Sequence, residues 1–203
     1  MKRHLTFPNP MLVVVSGPSG VGKSTIVAEL ARRHPQVVPI VTATTRQRRP
    51  GEEIGVHYHF LEPAAFADLR DSGGLLEWAE VHGNAYGTPV DQVRGILAAG
   101  RDAILTIDPQ GARAVRQLVP DAVLIFLMPP SLEVLDARLT GRGSESERER
   151  ALRRHNAAAE IAASDDYDHV LVNETGQASE VAELIWEVVQ AEARRDPPRQ
   201  VRI

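Results

Sequence analysis

The segment Gly17-Pro18-Ser19-Gly20-Val21-Gly22-Lys23-Ser24 constrains this chain more than any other. It fits the pattern G-x-x-x-x-G-K-[ST], which average residue frequencies produce by chance in roughly one chain in a hundred of this length. Its context narrows the reading. The apolar run Met11-Leu12-Val13-Val14-Val15 comes directly before it, and an amphipathic stretch with Ile26, Val27, Leu30 and Ala31 on one face comes directly after. Strand, glycine-rich turn and helix in that order build a phosphate-binding loop. Its glycines let main-chain N–H groups turn inward into a concave nest, and the helix N-terminus adds its dipole. Lys23 would reach the β- and γ-phosphates of ATP, and Ser24 would ligate Mg2+. The expected ATP contacts are Gly17, Pro18, Ser19, Gly20, Val21, Gly22, Lys23, Ser24 and Thr25.

Around this loop, short apolar runs alternate with longer amphipathic stretches, which predicts an α/β fold: a parallel sheet flanked by helices. Strands are expected over 11–16, 37–41, 103–107, 122–128 and 169–172. Helices are expected over 23–34, 112–118, 131–139 with Ser131 as cap, 147–163 and 179–193. A further helix should start at Thr88-Pro89, with Thr as N-cap and Pro in the first position, and run to about residue 99. The rhythm breaks between about 44 and 89. There Val56, Tyr58 and Phe60 alternate with His57, His59 and Leu61, and Leu75, Glu77 and Ala79 alternate with Leu76, Trp78 and Glu80. These patterns predict short antiparallel strands in a small inserted lobe. Residues 195–203 carry two prolines and are expected to be loose.

With 203 residues the chain suffices for one domain. It has no cysteine, so disulfides, thiolate metal sites and cysteine nucleophiles are excluded. A net charge of −4 argues against a nucleic-acid partner, although a local arginine cluster can still hold a small anion. The longest apolar runs, such as residues 122–128, are too short to span a bilayer. The start of the chain has no apolar stretch after its charged residues, so no secretion signal is expected and the cytoplasm is the default compartment. Monomer and homodimer are both compatible with the sequence.

Several further segments carry chemistry. They are Ala43-Thr44-Thr45-Arg46-Gln47-Arg48-Arg49-Pro50-Gly51-Glu52, Gly55-Val56-His57-Tyr58-His59-Phe60, Glu77-Trp78-Ala79-Glu80, Gly83-Asn84-Ala85-Tyr86-Gly87-Thr88, Ile107-Asp108, Pro129-Pro130-Ser131 and the run from Arg138-Leu139 to Gly141-Arg142-Gly143. Taken singly, each has an ordinary structural explanation. An arginine pair on a turn is usually solvated, Tyr58 and Tyr86 could be half-buried core residues, and Glu77 could face water. Their joint order downstream of the phosphate-binding loop resembles the guanylate kinase family, from about residue 12 to 192.

The resemblance implies a P-loop NTPase fold in one domain. Its core would be 11–41, 90–137 and 158–194, with a GMP-binding lobe at 42–89 and a helical lid at 138–157. It implies that Arg46, Arg49, Tyr58 and Tyr86 hold the GMP phosphate, and that Thr42, Glu77 and Thr88 hold the guanine. It places Arg138, Arg142 and Arg153 as lid cations over the transferring phosphoryl group. The implied reaction is ATP + GMP giving ADP + GDP, with Mg2+. Guanine presents adjacent N–H donors, which a carboxylate matches with two acceptors, whereas adenine would meet Glu77 with a lone pair. The acceptor phosphate is already ionised, so no general base is needed, and no nucleophile, triad or dyad stands out. Asp108 ends a strand opposite the loop. It either orders Mg2+ through water or simply caps the next helix. Two positions depart from the family pattern: Thr106 stands where an acidic residue is usual, and Ala85-Tyr86 where two aromatic residues are usual. Two other readings stand beside this one: a kinase for another small phosphate, and a non-catalytic module with the same fold.

Overall fold

β1 (Leu12–Ser16) is wholly buried and lies at the centre of a five-stranded sheet. Its run of valines suits a strand covered on both faces. It pairs in parallel with β7 (Asp102–Thr106), Leu12 opposite Ala103, and with β8 (Val123–Met128), Val13 opposite Val123. β2 (Val37–Pro39) and β9 (His169–Val172) complete the order β2-β7-β1-β8-β9, all parallel. The computed structural model describes residues 9–81, 83–140, 157 and 159–203.

Because strand side chains alternate, the apolar run feeds two cores. Val13 and Val15 pack with Ile26 and Leu30 of α1 (Lys23–Arg33) and Ile185 of α6 (Ala178–Ala193). Leu12 and Val14 pack on the opposite face with Val93 of α3 (Val90–Ala98) and Val115 of α4 (Pro109–Leu118). α5 (Leu132–Thr140) follows β8, and Ser131 Oγ accepts from the Val134 N–H at 3.3 Å, so the expected cap is present. The helix expected over 147–163 falls largely outside the described residues. Among the described residues no helix is long and apolar enough to cross a membrane.

The inserted segment differs from expectation in four ways. Its four-stranded sheet has the order β4-β3-β6-β5, and one pairing is parallel: β3 (Ala43–Thr44) with β4 (His59–Phe60). Residues 54–58 do not extend a strand. The Gly55 N–H donates to the Tyr58 carbonyl and the His57 N–H to the Glu53 carbonyl, closing a tight loop that leaves Ile54 and Val56 exposed. A helix not read from the sequence, α2 (Pro63–Asp71), fills the space before β5 (Leu75–Val81), with Phe66 buried beneath it. Finally, Thr88-Pro89 does not open a helix. Both residues end β6 (Asn84–Pro89), and α3 begins only at Val90. Thr88 does not cap α3: Pro89 holds the N-cap position, and the Thr88 hydroxyl donates instead to the Glu77 carboxylate across the sheet.

The C-terminal tail is anchored rather than loose. Arg199 is 8% exposed, and its Nε donates to Glu192 Oε2 at 2.7 Å. Its guanidinium also stands 3.5 Å from Asp168 Oδ1, and Val201 and Ile203 pack on the α3/α4 side of the core. Removing one member of a buried ionic cluster strands its partners. Glu192 keeps His169 at 2.9 Å and Asp168 keeps Arg116 at 2.6 Å, which limits the loss. Arg199→Met should therefore lower unfolding free energy by about 2 kcal/mol and the melting temperature by roughly 4–8 °C. A thermal melt unchanged within a degree would contradict the anchoring.

Candidate active site

The phosphate-binding loop joins β1 to α1 and takes positive φ angles at Gly17, Gly20 and Gly22. Gly17 could not carry a side chain, because a Cβ there would run into the Leu127 carbonyl of β8. A Cβ at Gly22 would meet Asn173 Nδ2 at 2.7 Å. That amide, at the end of β9, donates to the Val21 carbonyl at 2.7 Å and braces the loop from behind. The Lys23 ammonium folds back onto the loop, donating to the carbonyls of Gly17 at 2.5 Å and Pro18 at 3.1 Å. The side chain as a whole is half-buried, but its ammonium is enclosed. Burial lowers its pKa to about 8, against the opposing charges of Glu160 and Asp108.

Lys23 opens on a cavity of about 290 Å3. Gly17, Ser19, Lys23 and Ser24 form one wall, and Thr42, Tyr58, Glu77 and Tyr86 form another, with Thr106, Asp108, Gly111 and Glu160 between them. The second wall comes from the inserted sheet. Glu77 points inward from β5 at 6% exposure, and Thr88 Oγ1 donates to its Oε1 at 2.6 Å. Burial pushes its pKa up to about 7; the Thr88 hydrogen bond opposes the rise and the Asp108 charge adds to it.

Arg46 packs against Tyr58 of the cavity wall. Its guanidinium lies 5.4 Å from the Tyr58 ring centroid and 5.7 Å from that of Phe60, and it bonds Glu52 Oε1 at 2.7 Å. The other Glu52 oxygen accepts the Arg49 backbone N–H at 2.7 Å, while the Arg49 side chain is exposed. Tyr58 and Tyr86 meet edge to face, 6.0 Å between centroids. A guanidinium and two phenols thus converge on a place already shaped around a carboxylate, which suits an anionic oxygen.

The family model for guanylate kinase matches residues 9–190. The chain belongs to the guanylate kinase family. It is 54% identical over 162 residues to the guanylate kinase of Thermobifida fusca, covering 80% of this chain and 83% of that one. It is 44% identical over 188 residues to that of Chromobacterium violaceum, covering 93% and 89%. The crystal structure of guanylate kinase from Anaplasma phagocytophilum superposes with a TM-score of 0.75 at 33% identity, covering 92% of this chain and 87% of that one. Family membership makes the chain a kinase with a parallel α/β core.

Measured against the residues that guanylate kinase resemblance implies, the structure gathers Gly17, Ser19, Lys23, Ser24, Thr42, Tyr58, Glu77, Tyr86 and Asp108 on one cavity, with Thr88 behind Glu77 and Arg46 beside Tyr58. Arg138 stands elsewhere. Its guanidinium donates to the Val21 carbonyl at 3.3 Å, the Asn173 carbonyl at 3.0 Å and Thr175 Oγ1 at 3.1 Å. It borders a separate cavity of about 170 Å3 with Gly20, Gly22 and Thr25, on the outer side of the loop. Arg142 and Arg153 lie outside the described residues. Asp108 caps α4, its Oδ1 accepting from the Gly111 N–H at 2.8 Å, and its residue also borders the central cavity. Asn173, Glu160, Glu52 and Gly111 receive no role from the sequence alone. Asn173 has a usable cue, an amide directly after the last apolar strand; the others have none without three-dimensional contacts.

Proposed function

We propose that this chain transfers the γ-phosphoryl group of ATP to the phosphate of GMP, reversibly, giving ADP and GDP, with Mg2+ and in the cytoplasm. One observation carries the reading. A single cavity has the enclosed Lys23 ammonium on one wall and the Glu77 carboxylate with Tyr58 and Tyr86 on the other. Donor phosphates and an acceptor nucleotide can meet there without either leaving its own cradle.

The residues divide the work. Lys23 exchanges two loop carbonyls for the β- and γ-phosphates, and the loop's inward N–H groups hold the same oxygens. Arg46, Arg49, Tyr58 and Tyr86 take the acceptor phosphate. Glu77 accepts the two N–H donors of guanine, with Thr42 and Thr88 setting its surroundings. Ser24 and Asp108 offer hard oxygen donors on the same cavity, which fits Mg2+ held through a hydroxyl and through water. Mg2+, when bound, supplies positive charge against the phosphate oxygens. Arg138 would join the donor nucleotide from the outer side of the loop, and Arg142 and Arg153, outside the described residues, would supply the cations over the transferring group that a lid at 138–157 implies. Closure of that lid and of the lobe at 42–89 would exclude water, so that ATP is not hydrolysed.

The test is a coupled ADP-release assay across GMP, dGMP, AMP, UMP and ribose phosphates. GMP should show the highest kcat/KM, exceeding AMP by about a thousandfold or more, because adenine leaves the buried carboxylate facing a lone pair. A non-purine phosphate leading the panel would overturn the assignment.

A further inference from the structure

We infer that Gly111 is a specificity-determining position for the acceptor base: the bare first turn of α4 leaves Glu77 room to present both carboxylate oxygens to the cavity. The inference rests on the reading of Glu77 as the guanine reader.

Gly111 is the third residue of α4, after Pro109 and Gln110. Glycine is among the poorest residues inside a helix, so its presence there calls for a reason. Left-handed backbone is not that reason, because Gly111 is absent from the glycines of positive φ. Space is. A Cβ at this position would lie 3.1 Å from Glu77 Oε2, 3.2 Å from Ile107 Cδ1 and 3.4 Å from Ile107 Cβ. These distances are tighter than ordinary carbon contacts, so a neighbour must yield.

Glu77 has little freedom to do so harmlessly. It is 6% exposed, and its other oxygen is fixed by Thr88 Oγ1 at 2.6 Å. Rotation of the carboxylate moves both oxygens together, so relief at Oε2 disturbs the bond at Oε1. The alternative is an outward shift of α4, which would carry Asp108 away from the cavity wall. Either way the carboxylate no longer meets two adjacent N–H donors squarely. Gly111 touches no substrate in this account; it is a positioning residue acting through Glu77.

The experiment compares Gly111→Ala with Gly95→Ala, using GMP and IMP as acceptors. Hypoxanthine keeps the N1–H of guanine and lacks the 2-amino group, so the GMP-to-IMP ratio of kcat/KM reads the second hydrogen bond. Gly95 sits in α3 with nothing within 4 Å of an added Cβ, which makes it a control for a glycine-to-alanine change in a helix. Gly111→Ala should raise KM for GMP and lower the GMP-to-IMP ratio, each by about tenfold, the loss of one hydrogen bond to a charged acceptor. KM for ATP should stay within about twofold, and the melting temperature should change by only a few degrees, because the helix gain from alanine offsets the crowding. Gly95→Ala should leave the three kinetic quantities unchanged and should not lower the melting temperature. An unchanged KM for GMP and ratio in Gly111→Ala overturns the inference, as does a loss shared equally by ATP and accompanied by a larger fall in melting temperature. Glu77→Gln separates the two levels. If it removes the GMP-to-IMP preference while Gly111→Ala does not, the inference alone fails; if Glu77→Gln also keeps the preference, the reading of Glu77 fails.

Discussion

Lys23→Met should reduce kcat/KM for ATP by about a thousandfold or more and leave GMP affinity within about twofold. Phosphoryl transfer passes through a loose transition state whose charge spreads over the equatorial oxygens, so a cation fixed beside them lowers the barrier directly. The Lys23 ammonium is held in an enclosed site by two carbonyls, and its pKa is lowered to about 8 chiefly by burial. A charge kept from water in this way interacts far more strongly with phosphate than a solvated one. Methionine preserves the apolar body of the side chain and removes the ammonium, with its charge and its donors. The acceptor wall stands on the opposite side, on Arg46, Tyr58 and Glu77, and is untouched. Steady-state kinetics and a calorimetric GMP titration on one preparation check both halves. Activity within tenfold of the parent would contradict the role given to Lys23.

Glu77→Gln should collapse the preference for GMP over AMP by about a thousandfold or more. Glutamine keeps the shape and the partner Thr88 but replaces one acceptor by an N–H2 donor, which faces a guanine donor. Buried polar mismatch is where discrimination of this size arises, and Glu77 is 6% exposed. The same residue sets a pH dependence. Burial raises its pKa to about 7, and only the ionised form offers two acceptors to guanine. Affinity for GMP is therefore full above pH 7 and is lost as pH falls through 7. KM for GMP should rise about tenfold from pH 8 to pH 6, and the Gln variant should be flat over that range. Stability runs the other way. A carboxyl whose folded pKa is raised contributes stability below its unfolded pKa, and that contribution is lost as pH rises through the folded value. Glu77→Gln should accordingly raise the melting temperature of the ligand-free protein at pH 8. A melt lowered at pH 8, or a KM for GMP independent of pH in the parent, would contradict the burial argument.

The central sheet was legible because its strands are continuous apolar runs beside helices with one apolar face; 37–41, 103–107 and 122–128 lie within two residues of β2, β7 and β8. The loop was legible because its chemistry is written in consecutive residues. The inserted segment was less so. The alternation at 56–61 mimics a strand, yet Gly55 and the Glu53 carbonyl close a loop there instead. α2 is short, and its one buried residue, Phe66, gives little periodicity, although Pro63 at its start was an available cue. Thr88-Pro89 has the composition of a helix start, and a tertiary hydrogen bond to Glu77 claims the threonine. The tail reads as loose from its prolines, while Arg199 finds Glu192 and Asp168 only after folding. The same limit hides Gly111: its meaning lies in a distance to Glu77, 34 residues away in the chain.

The most direct test of the account is a crystal structure of the protein with GMP bound. The guanine edge should lie against the Glu77 carboxylate, and the phosphate should lie among Arg46, Tyr58 and Tyr86, facing Lys23 across the cavity. GMP settling outside that cavity, or seated there with its base turned away from Glu77, would contradict it.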